Sequence, residues 1–114
     1  MRIALLSCVA YKQAVPAPAR ELYTSPLFKG MLRYAESQQV QKIFILSAEH
    51  GLVPADRVLA PYNATLNTMP IAQRKKWASR VLSALREHTD IENDEFLILA
   101  GEKYREFLVS ELHH

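Results

Sequence analysis

The sequence predicts a small three-layer α/β/α domain with a mainly parallel sheet, its elements running β-α-β-α-β-α. Three observations predict it. The apolar runs at residues 3–9, 42–47 and 95–100 are continuous rather than alternating, which suits strands buried on both faces of a parallel sheet. The stretches that follow each of them repeat apolar residues at helical spacing. With 114 residues there is room for one domain against a soft norm of about 150, and a 49% hydrophobic composition can build a core without disulfide or metal. Residues 1–112 are read as that domain, and His113 and His114 as a terminal pair of tag-like character.

After the first strand, Ser25 can accept free backbone N–H groups as an N-cap, and Pro26 suits the first helical position. Leu27, Phe28, Met31, Leu32 and Ala35 then share one face of a helix running to about Gln38. Thr68 is the expected N-cap of the second helix, with Pro70 in its first turn and Ile71, Ala78, Val81, Leu82 and Leu85 on the buried stripe. Arg74, Lys75, Lys76 and Arg80 take its other side, a solvated face unless they converge with Lys29, Arg33 and Lys42. Gly101 breaks the chain after the third strand. Glu102 is placed to cap a last helix in which Tyr104, Phe107, Leu108 and Leu112 recur.

Fourteen Lys and Arg against twelve Asp and Glu leave a net charge of +2, which neither implies nor excludes a nucleic-acid partner. The single cysteine, Cys8, permits no internal disulfide and reads as a buried thiol in a cytoplasmic setting. No apolar run approaches the ~20 residues of a membrane span, and nothing reads as a secretory segment. Neither the dinucleotide fingerprint nor a P-loop occurs, the histidines have no zinc spacing, and no cofactor or metal is implied.

Right-handed crossovers bring all strand-to-helix loops to the carboxyl edge of such a sheet, where open α/β sheets bind ligands. Those loops are residues 7–20, 47–66 and 101–104, and the second is longer than the usual two to six residues. At its start Ser47, Glu49, His50 and Gly51 gather a hydroxyl, a carboxylate, an imidazole and a flexible turn. Glu49 could activate water or steady a cationic transition state and His50 could move a proton, the catalytic assignments here. The competing structural reading is that Ser47 and His50 only satisfy loop backbone. Ser7, Ser47, Gly51, Arg20, Tyr23, Tyr62, Gly101 and Tyr104 are the expected substrate-binding residues. Tyrosines can stack a base and bond a sugar, while the N–H groups after Gly101 can meet an anion. The loop at 48–66 is expected to fold back over this cleft.

The run RELYTSPLF from Arg20 to Phe28, ILSAEHGL from Ile45 to Leu52, Pro54, Pro61-Tyr62, Thr65-Leu66, Trp77, and Leu99 to Gly101 with Tyr104-Arg105-Glu106 together resemble a bacterial and phage family known only as a domain of unknown function. More distantly, Leu46-Ser47, Gly51, Pro54 and Pro61-Tyr62 resemble a segment of the YaaA peroxide-stress proteins, and Ser7-Cys8 resembles one in archaeosine-synthase-related tRNA enzymes. The wider group implies a Rossmann-like, uracil-DNA-glycosylase-like fold. Where the family continues Ser-Cys with a basic run, this chain has Val9-Ala10-Tyr11-Lys12-Gln13, which leaves one lysine. Residues and resemblance together set the expectation of a small enzyme acting on a nucleotide, nucleoside or nucleic-acid base through N-glycosidic bond chemistry. The alternative is a non-catalytic nucleotide- or nucleic-acid-binding module of a stress-response or phage accessory kind.

Overall fold

The computed structural model describes residues 1–7, 15–62 and 64–114. Cys8, Val9 and Lys12, with the strand end, thiol and loop lysine assigned to them, lie outside the described residues. In chain order the elements are β1 (Arg2–Ser7), β2 (Ala17–Pro18), α1 (Ala19–Leu22), α2 (Pro26–Ser37), β3 (Lys42–Ser47), β4 (Gly51–Pro54), β5 (Val58–Leu59), a 3-10 turn (Leu66–Thr68), α3 (Ile71–His88), β6 (Glu95–Leu99) and α4 (Glu102–Arg105).

The main sheet has the order β4-β3-β1-β6. β1 lies parallel to β3 on one side and to β6 on the other, with Leu5 opposite both Phe44 and Ile98. Ile3, Ala4, Leu5 and Leu6 are fully buried, so consecutive side chains on opposite faces of β1 all meet protein. That is why this strand reads as an unbroken apolar run. β4 turns back antiparallel to β3, pairing Gly51 with Ser47 and Pro54 with Phe44. The expectation of a loop folded over the edge from residue 48 onward is thus corrected at its start, which is a hairpin. A four-residue strand with only Gly51 and Val53 buried carries too little pattern to be distinguished from a loop. β2 and β5 form a second, two-stranded antiparallel sheet.

α2 begins as the sequence dictates. The Ser25 hydroxyl accepts from Phe28 N at 3.1 Å, and Pro26 occupies the first turn, where its missing N–H costs nothing. Phe28 and Ala35 are buried, Met31 and Leu32 pack partly against the core, and Leu27 faces solvent. α3 departs from expectation at its start. Thr68 belongs to the 3-10 turn, which Thr65 caps by accepting from Asn67 N at 3.2 Å, and Pro70 stands extended before the helix at φ −60°, ψ 157°. Ile71 is 55% exposed, and Trp77 joins Ala78, Val81, Leu82 and Leu85 on the buried face instead. The last helix is also shorter than its periodicity suggests: α4 spans four residues without a side-chain cap from Glu102. Tyr104, Leu108 and Leu112 are nevertheless buried through the turns that follow.

The terminal histidines are not detached from the sheet, since the His113 carbonyl accepts from Phe96 N at 2.8 Å. No helix among the described residues is long and apolar enough to cross a membrane.

The turn between α3 and β6 is held by Asp94, a buried carboxylate. Its Oδ2 accepts from Asp90 N at 2.8 Å, and its Oδ1 lies 3.0 Å from the Met1 ammonium. The Asp90 amide, then the ammonium, hold the carboxyl below its ordinary value of 3.8, against the opposing effect of burial. A depressed folded value means that the stabilisation is complete above that ordinary value and is lost as pH falls through the lower folded one. Thermal unfolding followed from pH 6 down to pH 2 is therefore expected to show an acid loss of stability that Asp94→Asn reduces. An unchanged acid limb in that variant would remove Asp94 from this role.

Candidate functional site

The carboxyl edge is organised around the last residue of β3. Ser47 is fully buried, and a strand ending there in a tight reversal leaves polar backbone that must find partners. Its carbonyl accepts from the Trp77 indole Nε1 at 2.8 Å. Its hydroxyl accepts from His50 N at 3.0 Å, closing the turn into β4, and donates to the Tyr62 hydroxyl at 2.9 Å. Tyr62 in turn shares a hydrogen bond with the hydroxyl of Tyr23. Four sequence-predicted residues, Tyr23, Ser47, His50 and Tyr62, thereby join in one chain of hydrogen bonds. Tyr23 also packs its ring on Phe28 at 5.0 Å, and His50 stands edge-on to Tyr62 at 5.4 Å.

The turn itself needs Gly51. Its φ of +75° lies in the left-handed region, and a Cβ there would come within 2.8 Å of Arg80 Nε. Arg80 approaches this closely because its Nη2 donates to the Glu49 carbonyl at 2.8 Å, so a cation on α3 braces the turn from outside. Within the turn, Glu49 Oε2 lies 3.3 Å from His50 Nε2, with the two side chains 51% and 31% exposed. An acceptor and a titratable donor thus sit adjacent and open to solvent. Both groups can be reached from solvent without crossing the core.

Ser7 ends β1 opposite Leu46 and is buried beside this region. Tyr104 is buried as well, and its hydroxyl accepts from Leu66 N at 3.3 Å and lies 3.4 Å from Thr65 Oγ1. Its ring meets Trp77 edge-on at 5.7 Å, so it anchors the later part of the long loop to α3. Gly101 follows β6 at the same end of the sheet, but its φ of −64° is open to any residue and α4 is too short to focus a helix dipole.

Arg20 is the residue that the edge does not gather. It lies 3.8 Å from Glu36 Oε2 and 3.5 Å from Asp56 Oδ1, and it lines a cavity of about 560 Å³ with Lys42, Phe44 and His88, toward the start of β3. The reason is topological. α1 docks on the segment after β4 through Arg20 N to the Ala55 carbonyl at 2.8 Å, which turns the side chain toward the far end of α2.

The basic residues of α3 do not converge as a patch either. Arg74 pairs with Glu106 at 2.8 Å and donates to the Met69 carbonyl at 2.7 Å, while Lys75 lies over Phe107 at 5.6 Å. Gln73, Lys76, Trp77 and Arg80 instead line a second cavity, of about 280 Å³, with Ala48 and Met69. Neither Gln73 nor Met69 is marked by the sequence reading, although the spacing 73, 76, 77, 80 was there to be read as one helical stripe. Among the described residues no group of three or more His, Cys, Asp and Glu is placed to hold a metal ion.

Tyr62→Phe deletes the acceptor of the buried Ser47 hydroxyl, at an expected cost of about 1–3 kcal/mol. Chemical denaturation would measure it, and a change below about 0.5 kcal/mol would show that the chain of hydroxyls contributes little. Gly51→Ala forces a side chain into the left-handed region at about 1–2 kcal/mol and pushes the Arg80 guanidinium off the Glu49 carbonyl. The same denaturation series should show that loss, while Lys75→Ala stays close to wild type.

No curated protein and no solved structure gives a significant match to the chain. One family model does match, over residues 3–114 and hence over nearly every element described above. The chain belongs to that family, described as a family of unknown function (DUF6884).

Proposed function

We propose that the protein acts on a nucleotide, nucleoside or nucleic-acid base, and that its chemistry is cleavage of an N-glycosidic bond at the Glu49–His50 turn. The observation that carries this reading is the 3.3 Å approach of the Glu49 carboxylate to the His50 imidazole at the carboxyl edge of the sheet. In such a reaction the C1′–N bond breaks, and positive charge develops on the sugar. Glu49 would steady that charge and take a proton from the water that adds at C1′, while His50 would deliver its proton to the departing base. One proton enters the pair and one leaves it, so the step balances without a cofactor. Tyr62, buried and edge-on to His50 at 5.4 Å, packs against the imidazole from within the protein.

The wider assignment to a three-layer, Rossmann-like and uracil-DNA-glycosylase-like architecture, with kinship to YaaA proteins, is part of the same reading, as is a cytoplasmic setting. Its support is the order β4-β3-β1-β6, in which the chain leaves β1 toward β3 and returns past it to β6. Right-handed crossovers in opposite directions would put α2 and α3 on opposite faces of the sheet.

Incubation with nucleosides, nucleotides, DNA and RNA is expected to release free base, detected by chromatography. Glu49→Gln and His50→Ala should each lower the rate by about 10²–10⁴ with little change in unfolding temperature, and Lys75→Ala should leave it unaltered. No release from any substrate sinks the enzymatic reading. The partial exposure of Glu49 and His50 favours a second reading, a non-catalytic binding module, because water is not excluded from them. Binding of oligonucleotide that falls steeply with salt and is indifferent to His50→Ala would select it.

A further inference from the structure

Gln73, Lys76, Trp77 and Arg80 stand at i, i+3, i+4 and i+7 of α3 and present one stripe to the cavity of about 280 Å³. Its lining contains two cations, an amide, an indole, a thioether and a methyl group, and no carboxylate. Like charges four residues apart on a helix repel, and the two cations that precede them on α3 are offset, Arg74 by Glu106 and Lys75 by the face of Phe107. Lys76 has no acidic partner among the described residues. Arg80 spends Nη2 on the Glu49 carbonyl, an interaction that aims the guanidinium without neutralising it. The result is a concave, positively charged site with an apolar floor, joined through Arg80 to the turn that carries Glu49 and His50.

We propose that this cavity binds a phosphate group, so that the substrate is a phosphorylated one, a nucleotide or a nucleic-acid strand rather than a nucleoside or free base. The proposal rests on the reading of the Glu49–His50 turn given above and names its substrate class. A phosphate presents several acceptor oxygens and one or two negative charges, which matches an ammonium, a guanidinium and an amide on the wall of one cavity whose lining holds no acid.

Trp77 is the only tryptophan in the chain and forms part of the cavity wall, so its fluorescence and indole NMR signal report on the site directly. Titration with inorganic phosphate and with a nucleoside 5′-monophosphate is expected to shift both signals saturably, the uncharged nucleoside binding more weakly. Lys76→Glu, at an exposed position, should weaken both phosphates by about tenfold or more, and Arg80→Lys should weaken them to a lesser degree. A short single-stranded oligonucleotide titrated in parallel separates the sources. Tighter binding with a steep salt dependence assigns the phosphate to nucleic acid, and tighter monophosphate binding assigns it to free nucleotide; either supports the proposal. Phosphate that leaves the Trp77 signals and the amide signals of residues 73–80 unmoved at millimolar concentration overturns it, as does a Lys76→Glu variant that binds like wild type. Base release is scored separately. Phosphate binding without release removes the glycosidic reading alone, whereas release equal from nucleosides and nucleotides and indifferent to Lys76→Glu removes the phosphate site alone.

Discussion

The arrangement of the carboxyl edge depends on how Ser47 is satisfied. A parallel strand that stops inside the protein leaves a carbonyl and a hydroxyl with no water to bond. The fold meets this by bringing three separate parts of the chain to one residue: the Trp77 indole from α3, the His50 amide from the turn, and the Tyr62 hydroxyl from the long loop, with Tyr23 behind Tyr62. Each partner is held by its own packing. Tyr23 lies against Phe28 of α2, and Trp77 lies against Tyr104 after β6. A requirement of backbone chemistry at one buried position therefore sets the relative placement of helix, turn and loop, and it leaves Glu49 and His50 as the part of that junction turned to solvent.

Charge is distributed by the same logic of local partners. The cations of α3 read as a stripe along the sequence, yet in three dimensions three of them answer to three different neighbours. Arg74 closes on Glu106 beyond α4, Lys75 rests on an aromatic face, and Arg80 reaches the turn. This division keeps a net charge of only +2 from forming a broad field, so electrostatic selectivity in this molecule is a property of short distances rather than of overall potential.

Much of the architecture was legible in the sequence. The three parallel strands declare themselves because each is apolar on both faces, and α2 is bounded by Ser25 and Pro26, whose capping chemistry acts locally. β4 was not legible, because four residues holding a glycine and a proline look like punctuation until β3 supplies their partner. The start of α3 was misjudged for a related reason: Thr68 is a good cap in isolation, but Thr65 captures that role for the preceding 3-10 turn. In the candidate site, strand ends placed Ser7, Ser47 and His50 together, since topology alone carries them there. Arg20 followed a tertiary contact with Ala55 that no local pattern encodes, and the role of Trp77 depended on a carbonyl thirty positions away.

The bond from Phe96 N to the His113 carbonyl bears on how the molecule behaves at high concentration. β6 is an outer strand of the sheet, and its outward amides are a template on which a stray extended chain could add. The closing segment occupies one of those amides from within the same chain. The opposite border is blunted differently, by a β4 of four residues that begins at a left-handed glycine and ends at a proline unable to donate. One rim of the sheet thus gives up an outward amide to self-pairing and the other is cut short, so that each offers less template for edge-to-edge growth.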